Sequence, residues 1–119
     1  MELSVCQMES AVVVPAEILV HHFTAFLRTA DEVTLICPTE LAPGNTKKEP
    51  GWIALELVGP FEFALTGILI QVAGPLAAVG IAIYALSTFN TDYVLIKADK
   101  REMAIEALQK AGHSFIGKV

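Results

Sequence analysis

From Phe63 to Thr91 the chain carries no charged side chain, and where that run goes decides what the rest can fold into. On length alone it could cross a bilayer, since about 20 apolar residues suffice for a span. Three features argue otherwise. Gly67, Gly74-Pro75 and Gly80 interrupt it, its pattern changes from helical to strand-like after Gly80, and its charged flanks are the acids Glu62 and Asp92. The run is therefore expected to be the interior of a soluble fold.

Composition supports this. With 119 residues the chain has room for one compact unit or two very small ones, and 54% apolar against 18% charged residues excludes general disorder. So much apolar material in so short a chain predicts that a partner copy covers part of it, giving a homodimer. Eight basic against thirteen acidic residues leave a net charge of −5. Nucleic acid and anionic membrane surfaces need clustered Lys and Arg, so neither is expected as a partner. The N-terminus lacks the basic region of a signal peptide, and a cytoplasmic location is expected.

Cys6 and Cys37 are too widely spaced for a zinc or redox motif and are expected to be buried, reduced thiols. His21 and His22 would point to opposite faces of a strand, and no metal site is expected. No cofactor is implied.

The polar stretch from Pro43 to Pro50 reads as a linker between an N-terminal half (1–49) and a C-terminal domain (50–119). In the latter, Trp52 to Val58 alternates as a half-buried strand with Ile53, Leu55 and Leu57 on one face. Ala64 to Val79 places Leu65, Ile68, Leu69, Val72, Leu76 and Val79 at helical spacing. Within that helix Pro75 cannot donate to the Gln71 carbonyl, and Gly80 ends it. Strands follow at Ile81–Ser87 and Tyr93–Lys97 around a tight turn, then a helix capped by Asp99 with Glu102 in a capping box, then Gly112 and a short strand at His113–Ile116. The order β-α-β-β-α-β is the ferredoxin-like, split βαβ plan of the α+β class. The first half reads as strands at Leu3–Met8, Phe23–Arg28 and Val33–Cys37, with one helical turn at Pro15–Leu19, a smaller and degenerate version of that plan.

No catalytic constellation is present, and a non-enzymatic role is expected. Two segments are candidate binding sites. One is the strand-to-helix turn Gly59 to Ile68, where unpaired N–H groups suit a carboxylate. The other is Ser87-Thr88-Phe89-Asn90-Thr91-Asp92-Tyr93, polar groups set in an apolar sheet, with Asp92 the single acid between Phe63 and Ala98. Either could instead be a plain connection, with Gly67 packed on the sheet and Asn90 and Asp92 satisfying a turn. On the residues alone both readings stay open.

The runs Gly51-Trp52, Val58-Gly59-Pro60-Phe61-Glu62-Phe63-Ala64-Leu65-Thr66-Gly67-Ile68-Leu69, Pro75-Leu76-Ala77 and Gly80 to Ile96 resemble an ACT domain, over roughly residues 51–113. More narrowly, they are similar to small stand-alone ACT proteins whose domains resemble those of aspartate kinase and the eukaryotic cytosolic arginine sensors. The Ser-Thr-Phe-Asn-Thr-Asp-Tyr segment is the most specific part, and Cys37-Pro38 fits a first half that is itself ACT-like. Ala64 departs from the Ser common at the helix entrance of relatives.

The resemblance implies a regulatory or sensor protein that binds an amino acid where domains meet, using the loop before the first helix. Phe61 lies in that loop, and the ligand carboxylate would face the backbone around Thr66, Gly67 and Ile68. Thr88, Phe89 and Asn90 would line the pocket, and Asp92 would pair with a ligand ammonium or guanidinium. The rival is an interaction module with a vestigial pocket.

Overall fold

The computed structural model describes residues 1–44, 46–58 and 67–117. The chain divides into two compact units, Met1–Trp52 and Ile53–Val119.

The first unit contains strand β1 (Leu3–Met8), a one-turn helix α1 (Ala16–Leu19), and strands β2 (Ala25–Arg28) and β3 (Val33–Pro38). β3 lies between β2 and β1 and is antiparallel to both, with Val5 opposite Ile36 and Leu27 opposite Thr34. Thr29 closes the β2–β3 turn, its hydroxyl accepting from the N–H groups of Asp31 and Glu32. Alternation along β1 and β3 sends Cys6, Leu35 and Cys37 into one small core with Ile18 of α1. Burial raises both thiols above their ordinary pKa, Cys37 to about 11 with added effects of Cys6 and Glu40.

Strand β4 (Lys47–Glu56) passes from the first unit into the second. Its beginning corrects the linker reading, because 47–50 is strand. Pro50 ends the stretch read as a linker, yet the pairing with β1 steps from Val5–Glu49 to Leu3–Trp52, so Pro50 and Gly51 sit in a β-bulge. Gly51, at φ +84°, supplies the left-handed residue such a bulge uses.

The second unit continues with helix α2 (Ile68–Ala78), strands β5 (Tyr84–Ser87) and β6 (Asp92–Lys97), a 3-10 turn at Ala98–Lys100 and helix α3 (Arg101–Lys110). β6 pairs with β5 and with the end of β4. Leu55, Leu57, Val94 and Ile96 from the strands meet Val72 and Leu76 of α2 and Ala104 and Leu108 of α3 in one core. From Gly67 onward the charge-free run forms an eleven-residue helix, a turn, an edge strand and the loop after it. Among the described residues no helix is long and apolar enough to cross a membrane.

Both long helices close in the same way. Gly80 and Ile81 donate to the carbonyls of Ala77 and Leu76, and Gly112 and His113 donate to those of Gln109 and Leu108, the paired bonds of a Schellman motif. Pro75 leaves the Gln71 carbonyl without its helical donor, as the sequence requires. The ring Nε2 of His113, 2.8 Å away, takes that place, which fixes it as the protonated nitrogen because a carbonyl can only accept.

Two expectations fail here. Asp99 does not cap α3: it lies in the 3-10 turn, Lys100 occupies the cap position, and no side chain caps the helix. The region His113–Ile116 is not a strand. The main-chain N–H of His113 closes α3 and its ring serves α2, while Phe115 packs on the core, so these groups tie helices together instead of extending a ladder.

Candidate functional site

The β5–β6 hairpin concentrates the polar groups that the sequence placed in an apolar sheet. Its two loop residues are Phe89 and Asn90, both exposed, Phe89 at 78%. Thr88 and Thr91 close the loop. The Thr88 N–H and hydroxyl both donate to the Thr91 carbonyl, at 2.8 and 3.0 Å, and the Thr91 N–H donates to the Thr88 hydroxyl at 3.2 Å.

One residue further from the loop, Ser87 stands opposite Asp92 and its hydroxyl donates to Asp92 Oδ1 at 2.6 Å. That is the length of a charge-assisted O–H···O⁻ bond. Strand alternation puts Asp92 on the same face as Val94 and Ile96, both fully buried in the core shared with α2 and α3. The carboxylate, half-buried, therefore sits where the helix-covered face of the sheet ends.

The hairpin is anchored to the end of β4. The Leu57 N–H donates to the Asp92 carbonyl at 2.9 Å, and the Thr91 hydroxyl donates to the Leu57 carbonyl. Both main-chain polar groups of Leu57 are thereby held by adjacent hairpin residues, and Leu57 directly precedes the connection to α2.

Of the residues read as ligand-binding, Thr88, Phe89, Asn90 and Asp92 lie together on this hairpin. Gly67 and Ile68 lie at the start of α2, Gly67 as its left-handed N-cap at φ +77° with its carbonyl accepting from the Gln71 N–H. Ile68 packs against the core to which Leu57 and Val94 belong. Phe61, Thr66 and the rest of the helix-entrance loop, Ala64 included, lie outside the described residues. Reasoning from sequence passed over Ser87 and Thr91 as individuals. Hairpin register was the missing signal: once Phe89-Asn90 is the loop, Ser87 must face Asp92. Among the described residues, no group of three or more His, Cys, Asp or Glu is placed to hold a metal ion.

The strand and helix order around this hairpin, and the residues that build it, define the class: the chain belongs to the ACT domain family, whose model matches residues 47–110. Within that family it is 38% identical over 68 residues to the cytosolic arginine sensor for mTORC1 subunit 1 of Rattus norvegicus, a match covering 56% of this chain and 20% of the sensor. The chain thus spans about a fifth of the length of the curated relatives it matches. Its fold is similar over 97% of its length to a crystal structure from Agrobacterium tumefaciens, covering 86% of that chain at TM-score 0.89 and 31% identity. The aspartate kinase of Clostridium acetobutylicum shares the fold at TM-score 0.70 and 15% identity, over 94% of this chain and 33% of the kinase.

Proposed function

We propose that this chain is a regulatory protein that binds an amino acid, with Asp92 pairing the ligand's cationic group and the chain itself carrying out no reaction. The observation that carries this reading is the half-buried Asp92 at the end of the core face, held by Ser87 inside the region matched by the ACT domain model. Thr88, Phe89 and Asn90 contribute the loop beside it, and the start of α2 at Gly67 and Ile68, with Phe61 and Thr66 before it, receives the ligand carboxylate. In this reading the chain works in the cytoplasm as a homodimer, without nucleic acid or membrane partners, and its first unit is a degenerate ACT-like half. The apolar composition supports the dimer, and the acidic net charge supports the lack of nucleic-acid and anionic-membrane partners.

A thermal-shift screen of the twenty amino acids, followed by calorimetry, tests it. A ligand present at about 100 times its Kd stabilises the folded state by roughly 2.7 kcal/mol, and L-arginine should do so. Asp92→Asn keeps an oxygen for Ser87 but loses the charge, and should weaken arginine by at least about 30-fold, or roughly 2 kcal/mol, with the ligand-free melting temperature unchanged. Unchanged affinity would leave Asp92 as a turn residue. If no amino acid shifts the melting curve, the chain is an interaction module instead.

A further inference from the structure

We infer that Ser87 is a positioning residue for the ligand cation: its hydroxyl locks the Asp92 carboxylate by occupying Oδ1 and leaves the second oxygen to face the ligand. This rests on the proposed cation-pairing role of Asp92 and adds to it a residue that does not itself touch the ligand.

The geometry of the hairpin makes the case. Because Thr88 donates to Thr91 across the loop, those two form the hydrogen-bonded pair, and the next pair, Ser87 and Asp92, is non-hydrogen-bonded. Side chains approach most closely at such pairs. Ser87 uses that proximity for a 2.6 Å bond to Oδ1. An exposed serine could as well turn to water, and an aspartate at a strand end could swing among rotamers. Together they hold one arrangement, so the cost of ordering the carboxylate falls on folding and not on binding.

A bond that merely stapled the hairpin would be redundant here. The loop is already closed by Thr88 and Thr91, and Asp92 is held through its own carbonyl by Leu57. Removing the Ser87 hydroxyl therefore leaves the hairpin its backbone anchors and releases only the carboxylate. The bond's value appears when something must meet the other oxygen.

The experiment compares the unaltered chain with Ser87→Ala, Ser87→Thr and Asp92→Asn in calorimetric titrations with L-arginine and, for each variant, the ligand-free melting temperature. Ser87→Ala should weaken arginine about threefold to tenfold, the range expected for one hydrogen bond to a partly exposed charge. Its melting temperature should stay within about 2 °C of the unaltered chain, less than the shift that a 1 kcal/mol loss produces in a chain of this size. Ser87→Thr, which keeps the hydroxyl, should restore the affinity. Unchanged affinity in Ser87→Ala beside a clear loss in Asp92→Asn overturns this inference and leaves the proposed function standing. A lowered melting temperature with no rescue by threonine overturns it too, since Ser87 then acts as a structural staple. If the unaltered chain binds neither L-arginine nor L-lysine, the cation-pairing reading falls and this one with it.

Discussion

Two units of this molecule run the same strand plan with different helical cover. In the first, β1-α1-β2-β3 is laid out in the order β2-β3-β1; in the second, β4-α2-β5-β6 is laid out as β5-β6-β4. The first has a helix of four residues at the position where the second has one of eleven, and the second adds α3. A single turn can bury one side chain, Ile18, whereas α2 and α3 bury Val72, Leu76, Ala104 and Leu108 against the strands. The difference teaches what a site of this kind requires. In the second unit the half-buried carboxylate of Asp92 lies where the face covered by α2 and α3 comes to an end.

If helical cover is what separates the units, deleting core side chains should rank them. Leu76 of α2 is fully buried, and Leu76→Ala should cost about 3–5 kcal/mol in urea denaturation. Ile18 retains 9% exposure on its one-turn helix, and Ile18→Ala should cost nearer about 2 kcal/mol. A larger loss at Ile18 would reverse the ranking and break the comparison.

The start of α2 sharpens it further. Gly67 has φ +77°, and among the described residues an added Cβ would meet Ile70 Cγ2 at 3.8 Å, an ordinary contact. The penalty for Gly67→Ala is therefore one of backbone conformation, about 1–2 kcal/mol, read from the same denaturation curves. No loss of stability would show that the helix start relaxes out of the left-handed region.

A pH-dependent effect belongs to the first unit alone, because the second carries no thiol. Cys37 is pushed from 9.0 to about 11 by burial. A raised pKa means that the unfolded chain loses this proton first. The contribution is complete below about pH 9 and is lost as the pH rises towards about 11. The stability gap between the unaltered chain and Cys37→Ala should narrow over that window, and a constant gap would remove the thiol from the account.

Much of the second unit could be read from sequence because its signals are periodic. Leu55 and Leu57 alternate with exposed Glu56, and Val72 and Leu76 repeat at one helical turn. What escaped was non-local. A proline and a glycine side by side look like an end of structure, and only pairing with β1 shows Pro50-Gly51 as a bulge inside a strand. Asp99 fits a cap by residue type, but the chain enters α3 through a 3-10 turn and moves the cap to Lys100. In the site, Asp92 stood out as a lone charge among apolar neighbours, while Ser87 was one hydroxyl among several until the register singled it out.

Pro75 has made a distant residue part of its helix. The carbonyl it frees at Gln71 is satisfied from a position 42 residues further along, after α3 has ended. The two sites are therefore one decision for anyone who edits this chain. A version trimmed after Gly112 keeps every residue of both long helices yet reopens the fault in the middle of α2. Replacing Pro75 with alanine would give that carbonyl back its helical donor, so part of what the cut costs is written in the interior of a helix and not near the cut.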